Sequence, residues 1–203
     1  TVNAVYSFHS SIMLTLARSP VSRWFATRPN SSIDRMIRVD QAGEYSAVQI
    51  YKGQMDVLGK GDINLRTLLD HMKQQEEVHL AVMDEMVSER RVRPSLLLPL
   101  WGAAGYGLGV GTALLGKEAA MACTVAVEEV IGGHYNDQLR ELMTEECGKE
   151  DVLKKIIQTH RDEELHHRDV GIANDALKAP AYQALTAIIK TGCRAAIWIS
   201  ERI

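Results

Sequence analysis

The sequence predicts an all-α protein: a four-helix bundle with an apolar insert in its middle and a fifth helix at its C-terminal end. Four long stretches carry apolar residues at helical spacing, and none of the chain shows the alternation expected of a strand. The composition is rich in Ala, Leu, Met, Glu and Lys, which are strong helix formers. At 203 residues, the chain is long enough to bury one sizeable core.

The predicted helices follow one another with short breaks. Ser31 or Ser32 can cap the first helix, and Asp62 with its neighbouring glycines marks the turn that follows it. Pro180 marks the break before the last helix. The bundle domain is assigned to residues 34–203, with helices over about 32–58, 65–90, 117–144, 150–174 and 182–203.

A pattern of Glu followed by Glu-x-x-His occurs twice, once in each half of the bundle. The gap from the lone Glu to the paired Glu is 32 residues in the first half and 36 in the second. Residues at i and i+3 share a helix face, so each paired Glu and His point the same way. Bundles that carry this pattern on four helices hold two metal ions in ferritin-like proteins. The candidate metal ligands are Glu44, Glu76, His79, Glu128, Glu164 and His167.

Neighbouring residues leave two alternatives for these ligands. Glu129 follows Glu128, and Glu163 with His166 also reads Glu-x-x-His. Aligning the two halves on Glu44 and Glu128 also matches tyrosines and glutamines in the flanks, and a shift by one residue loses these matches. We therefore prefer Glu128, Glu164 and His167.

Four carboxylates and two imidazoles form an oxygen-rich ligand set that suits iron or manganese. Four carboxylates balance two divalent ions in charge, which allows the site to be buried. Glu76 and Glu164 are predicted to bridge the two ions, with Glu44 and Glu128 as terminal ligands. Such a centre is suited to dioxygen chemistry.

Other polar residues near the pattern receive less specific predictions. Tyr51 is expected in the core, whereas Tyr135 beside His134 is a candidate for hydrogen bonding near the substrate. His71, His160 and His166 are expected to face solvent or the edge of the bundle.

Residues 94–116 contain no charged side chain and are flanked by basic residues. A single crossing of a bilayer would place the two halves of the metal site on opposite sides, so a spanning helix is rejected. We predict instead an insert that lies on or dips into one leaflet, with Trp101 and Tyr106 at the interface. The two prolines and six glycines argue against a straight helix. The insert and the last helix, through Leu185 and Ile188, would form the substrate access route. The alternative is a buried apolar crossover inside a soluble bundle.

Residues 1–33 are rich in Arg and Ser and contain no acidic residue, which is typical of a mitochondrial targeting segment; the alternative is an ordinary disordered tail. The net charge of −3 gives no indication of nucleic-acid binding. Three dispersed cysteines predict neither a disulfide framework nor a zinc site.

Several runs of the sequence resemble the demethoxyubiquinone hydroxylase family of ubiquinone biosynthesis. They are Arg-Val-Asp-Gln-Ala-Gly-Glu-Tyr at 38–45, Val-Arg-Pro at 92–94, Gly-Thr-Ala-Leu-Leu-Gly-Lys-Glu at 111–118, Ala-Val-Glu-Glu at 126–129, Arg-Asp-Glu-Glu-Leu at 161–165 and Ile-Ser-Glu-Arg-Ile at 199–203. The resemblance covers residues 33–203, and it assigns the family's six ligands to the residues found from the repeat.

The resemblance implies a di-iron monooxygenase on the matrix side of the mitochondrial inner membrane. It would hydroxylate the ring of demethoxyubiquinone with O2 and reducing equivalents from NADH, in the penultimate step of ubiquinone biosynthesis. Implied partners are membrane lipid, a lipid-binding ubiquinone-biosynthesis protein and a larger biosynthetic complex. The alternatives are another membrane-associated di-iron protein such as a quinol oxidase, and a non-catalytic lipid-binding scaffold.

Overall fold

The computed structural model describes residues 32–144 and 150–203. These residues form helices and connecting turns with no strand, which confirms the all-α prediction. The predicted targeting segment falls outside the described residues except for its last two, and so does Cys147. The helices are α1 (Ser32–Leu58), α2 (Ile63–Arg90), α3 (Leu98–Leu114), α4 (Lys117–Leu142), α5 (Asp151–Ala173) and α6 (Tyr182–Ser200), with a short 3-10 turn at Ala176–Lys178.

Local sequence signals explain where the helices begin and end. The side chain of Asp62 accepts hydrogen bonds from the backbone N–H groups of Asn64 and Leu65 and so caps α2. Arg91 ends the same helix in the left-handed conformation, at φ 54°. Pro99 lies in the first turn of α3, where its missing N–H costs nothing. The helices predicted from the sequence agree with these bounds to within a few residues.

The helices pack in two similar groups of three. Helix α1 packs against α2 and α3, and α4 packs against α5 and α6. The sequence repeat predicted a unit of two helices used twice. The structure adds a third helix to each unit, because α3 covers α1 as α6 covers α4.

The four bundle helices share two separate apolar clusters. One cluster contains Ile37, Met83, Leu142 and Ile157, one from each of the four bundle helices. The second lies further along the helices and includes Leu69 and residues of α4 between 119 and 125. The predicted metal ligands fall between these two sets of positions on every helix, so the polar layer is enclosed by apolar packing on both sides.

Glycines allow α3 to lie unusually close to α1. A Cβ added at Gly109 would be 2.1 Å from the carbonyl oxygen of Ile50, and one at Gly102 would be 2.5 Å from the ring of Tyr45. The prolines and glycines were expected to weaken a straight helix here, yet α3 forms and runs for 17 residues. The opposite face of α3 leaves Leu100 and Leu114 exposed. Among the helices of the described residues, none has the length and apolar character needed to cross a bilayer.

Candidate metal centre

The six residues predicted from the repeat meet in the middle of the bundle, where each is at most 3% exposed. Their ligand atoms form two sets of four that lie within 4.8 Å of one another: Glu44, Glu76, His79 and Glu164 in one set, and Glu76, Glu128, Glu164 and His167 in the other. Both sets contain Glu76 and Glu164. The arrangement is therefore two adjacent sites joined by two shared carboxylates.

The imidazole Nδ1 atoms face the shared carboxylates from opposite sides. His79 Nδ1 lies 3.5 Å from Glu76 Oε2 and 3.1 Å from Glu164 Oε1. His167 Nδ1 lies 2.9 Å from Glu76 Oε1 and 3.1 Å from Glu164 Oε2. Each shared carboxylate thus turns one oxygen toward each histidine, which is the geometry that two bridging ligands require.

The second nitrogen of each ligand histidine has a partner that sequence reasoning missed. His79 Nε2 lies 2.5 Å from Glu163 Oε2, and His167 Nε2 lies 3.1 Å from Gln75 Oε1. Such partners hold the ring in place and fix which nitrogen is available to a metal ion. Both residues directly precede a ligand glutamate in the sequence, a signal that could have identified them.

The alternative ligands considered from the sequence lie away from the cluster. Glu129 is exposed and pairs with Lys190. His166 is exposed as well. Glu163 contacts the outer nitrogen of His79 and does not belong to either four-residue set.

Two buried tyrosines connect the halves of the site. The hydroxyl of Tyr51 donates to Glu128 Oε1 over 3.0 Å, and the hydroxyl of Tyr135 donates to Glu44 Oε1. The core position expected for Tyr51 is correct for its ring, which is 1% exposed, and its hydroxyl has a hydrogen-bond partner in a candidate ligand. The seven-residue spacing from Glu to Tyr, present in both halves, is the sequence signal for this pairing.

His160 occupies a position that the sequence analysis did not anticipate. It was expected to face solvent or the bundle edge, but it is 1% exposed. Its Nδ1 lies 3.5 Å from Glu44 Oε1, and its ring stacks on that of His79 with 4.1 Å between centroids. Residue 160 precedes Glu164 by four positions and His167 by seven, a helical spacing that could have identified it.

His134 lies beside the ligand cluster but does not belong to it. Its Nε2 is 3.6 Å from Asp40 Oδ1, and Gln138 Nε2 donates to the same oxygen over 2.7 Å. Asp40 is 3% exposed, and burial raises the pKa of its carboxyl. Of these three residues, Asp40 and His134 line the cavity described below.

Burial and nearby charges shift the pKa values of the ligand carboxylates, upward for some and downward for others. Burial and then repulsion from Glu164 raise the pKa of Glu76 to about 7, and the same effects raise the pKa of Glu128 well above its usual value. Burial also acts against ionisation of Glu44, but the attraction and hydrogen bonding of His79 and His160 together outweigh it and hold the pKa of Glu44 well below its usual value. Without metal, the cluster therefore holds extra protons.

The donor set fits a pair of divalent metal ions. Neither oxygen of Glu76 receives a hydrogen bond of acceptable geometry from the described residues, although its carboxylate is fully buried. A buried acceptor in this state is costly unless a cation binds it. Four carboxylates and two neutral imidazoles would neutralise two divalent ions and match the oxygen-rich sites of iron or manganese.

A cavity of about 360 Å³ adjoins the ligand cluster and is lined in part by residues of α3 and α6. Its inner end contains ligand carboxylates, and its walls are largely apolar, with Trp101, Leu108 and Ile188 among them. Of the four residues predicted for substrate access, Trp101 and Ile188 line this cavity. Tyr106 instead donates its hydroxyl to Asp56 at the surface, and Leu185 packs against the core.

Comparison with known proteins gives consistent results. The family described as "Ubiquinone biosynthesis protein COQ7" matches residues 31–200. The chain is 55% identical over 175 residues to the 3-demethoxyubiquinol 3-hydroxylase of Rhodospirillum rubrum, covering 86% of this chain and 80% of that protein. It is 53% identical over 173 residues to the human mitochondrial NADPH-dependent 3-demethoxyubiquinone 3-hydroxylase, covering 85% and 79%. It is also 48% identical over 182 residues to the mitochondrial 5-demethoxyubiquinone hydroxylase of Saccharomyces cerevisiae, covering 84% and 78%.

Proposed function

Because the chain belongs to the ubiquinone biosynthesis COQ7 family, we propose that it is a di-iron monooxygenase that hydroxylates the ring of demethoxyubiquinone. The relatives' names identify enzymes with this activity, and they favour neither a quinol oxidase nor a non-catalytic lipid-binding scaffold. In the proposed reaction, one oxygen atom of O2 enters a ring C–H bond to give C–OH. The other atom leaves as water, with two electrons and two protons consumed.

The observation that carries this proposal is the pair of ligand sets sharing Glu76 and Glu164 at the inner end of an apolar cavity. Glu44 with His79 would hold one iron ion, and Glu128 with His167 the other. When bound, the two ions supply the activation of O2. The shared carboxylates keep the ions adjacent, and the partners of each histidine fix the direction of its Nδ1.

The cavity suits an apolar ring that arrives from a lipid phase. Its walls are largely apolar and include residues of α3 and α6, and we propose that it opens between these two helices. His134 and its partner Asp40 add polar groups to this wall, where a ring oxygen of the substrate could be bound. The substrate would thus reach the metal centre with its ring first and its apolar tail toward the opening.

The reaction requires two electrons from a donor outside the chain. The sequence analysis predicted NADH, and this is not confirmed, since the names of several relatives specify NADPH. We propose a reduced nicotinamide nucleotide as the ultimate donor. Oxidation of NADPH and of NADH, each measured with and without the demethoxyquinone, would identify the preferred nucleotide.

A mitochondrial location is proposed from the names of the eukaryotic relatives. Peripheral binding to the inner membrane is the finer proposal, supported by exposed apolar side chains on α3 and α6 beside the cavity, such as Leu100 and Trp198. Association with a lipid-binding partner protein and a larger complex remains a prediction from the family resemblance.

A direct test uses labelled oxygen. Anaerobically reduced, iron-loaded protein is mixed with a demethoxyquinone and 18O2, and the ring is analysed by mass spectrometry. We expect one 18O atom in the product. An unlabelled product, or oxidation of the quinol without hydroxylation, would contradict the proposal.

Adjacent glutamates provide a matched pair of variants for the same assay. Glu128→Ala removes a buried ligand and should reduce product formation by more than about 100-fold, with loss of iron. Glu129→Ala, an exposed neighbour in the next position, should retain iron and most activity. Equal effects of the two changes would show that the ligand assignment is wrong.

A further inference from the structure

The two halves of the site differ at one buried position. When the halves are aligned on Glu76 and Glu164, residue 72 of α2 falls opposite residue 160 of α5. Met72 and His160 are both 1% exposed. Met72 belongs to the apolar cluster beside the site, whereas His160 brings an imidazole to the equivalent place in the other half. The near-symmetric centre therefore has a third imidazole on one side only.

The ring of His160 is directed at the same carboxylate as the ligand His79. Its Nδ1 lies 3.5 Å from Glu44 Oε1, while His79 Nδ1 lies 3.4 Å from Glu44 Oε2. The two rings are nearly parallel, with 21° between their planes and 4.1 Å between their centroids. One ligand atom from each of Glu44, His79 and His160 lies within 4.8 Å of the others, close enough for one metal ion to bind all three.

The choice of nitrogen gives a second argument. His79 and His167 both turn Nδ1 toward the shared carboxylates and Nε2 away from them. His160 also presents Nδ1 to the centre. This is the orientation of a ligand in this bundle, in which the helix backbone places the inner nitrogen of each ring next to the carboxylates.

We propose that His160 is a third imidazole ligand of the di-metal centre, binding through Nδ1 the ion held by Glu44 and His79. The inference rests on the proposed di-metal site. One ion would then have two imidazole ligands and the other, at Glu128 and His167, only one. Because the extra ligand fills a coordination position on the first ion, the ion at His167 retains more open positions for O2.

The competing account is a hydrogen bond from His160 Nδ1–H to Glu44, with no bond to the metal. Glu44 Oε1 already accepts a hydrogen bond from the hydroxyl of Tyr135, and a carboxylate oxygen can accept two. In that case, His160 would position Glu44 without changing the number of nitrogen ligands. The two accounts differ in how many histidines are bonded to metal, which can be counted.

The experiment replaces iron by Co2+ and records the proton NMR spectrum of the two-cobalt protein. Each histidine bonded to cobalt gives one strongly contact-shifted, exchangeable N–H signal, which disappears in D2O. We expect three such signals in the wild-type protein. Two signals would show that His160 is not a ligand while leaving the di-metal site intact. Absence of bound cobalt would overturn the site and the proposed function together.

Variants assign the third signal. His160→Met gives position 160 the same residue as its counterpart Met72 in the other half. We expect this variant protein to bind two cobalt ions and to show two signals. Met72→Leu, the matched control in the other half, should retain three. Three signals in His160→Met would overturn the proposal. If that variant fails to fold, His160→Phe and the wild-type count still decide the question.

Discussion

Each half of the centre depends on a side chain supplied by the other. Tyr51, on the helix of Glu44, bonds to Glu128, and Tyr135, on the helix of Glu128, bonds to Glu44. Burial and the nearby carboxylates raise the pKa of both phenols well above the usual value, so both remain protonated donors. The terminal glutamates are therefore held in place by hydrogen bonds across the bundle.

Removing these hydroxyls should weaken metal binding. We expect Tyr51→Phe and Tyr135→Phe each to lower iron affinity by about 10-fold to 100-fold, as for other partners of metal ligands, because a terminal carboxylate becomes free to rotate. Competition with a chelator of known affinity measures the change. Tyr106→Phe, which removes a hydroxyl bonded to Asp56 at the surface, is the control and should have no effect. An equal loss in the control would contradict this role.

The candidate ligands could be predicted from the sequence, whereas the contacts that their neighbours make could be predicted only in part. Helical spacing shows that Glu76 and His79 share a face, and the repeat supplies the residues opposite them. It does not show which side chains of a neighbouring helix approach that face. Contacts such as Glu163 with His79 depend on the rotation and separation of α2 and α5, which arise from packing of the whole core.

At the scale of the helices, α3 demonstrates how packing overrides local preference. Glycine in a helix lowers stability by up to about 1 kcal/mol relative to alanine, so the glycines of residues 94–116 argued against a straight helix. In the folded chain, those at positions 102, 105 and 109 face α1 at distances that no side chain would allow. Close contact along the helix compensates for the low intrinsic preference, and no local rule includes this contribution.

Two glycines of α3 should respond to alanine in opposite directions. Gly109→Ala places a Cβ against the backbone of Ile50 and should lower the free energy of unfolding by about 1–3 kcal/mol. Gly107→Ala meets nothing within 4 Å and should raise it by about 0.5–1 kcal/mol. Chemical denaturation monitored by circular dichroism measures both values. Similar effects at the two positions would contradict the close packing of α3 on α1.

For the whole molecule, the two three-helix groups bring α3 and α6 to the wall of one cavity. Both helices carry exposed apolar side chains, including Leu100, Leu114 and Trp198. Such a surface is costly in water and suited to a lipid interface. The sequence predicted this for residues 94–116 from the absence of charge, while the cavity lined by both helices is formed only when both groups of helices pack.

Charges introduced on this surface should reduce membrane binding. We expect Leu100→Glu and Trp198→Glu each to lower the affinity for vesicles of anionic phospholipid by about 10-fold or more, because an apolar contact is lost and like charge is added. Sedimentation with the vesicles measures binding. Val152→Glu, an exposed apolar position on α5, is the control and should bind as the wild type does. Unchanged binding in all three variants would contradict a role for this surface.

The metal-free protein should become less stable as pH rises, because most of the shifted groups in and beside the centre act in the same direction. A group whose pKa is raised by folding stabilises the folded state at low pH, and this contribution is lost as pH rises through the raised value. Glu44 and Glu164 have lowered pKa values, so their contribution to the free energy of unfolding changes little above pH 5. Among the shifted groups of the centre, His160 acts in the opposite direction, because its pKa is lowered. The groups with raised pKa values are Asp40, Glu76, Glu128, His79, His134 and His167.

Bound metal should reverse this pH dependence. The rise in the pKa of Glu76 from 4.5 to about 7 corresponds on its own to a loss on the order of 3 kcal/mol between pH 5 and pH 8 in the metal-free state. Metal ions bind the deprotonated ligands, so the loaded protein should gain stability over the same interval. Thermal unfolding of metal-free and cobalt-loaded protein at several pH values measures both trends. Since loss of the buried negative charge should remove much of the dependence, metal-free Glu76→Gln should show a flatter profile. An unchanged profile in that variant would show that the instability arises outside the ligand cluster.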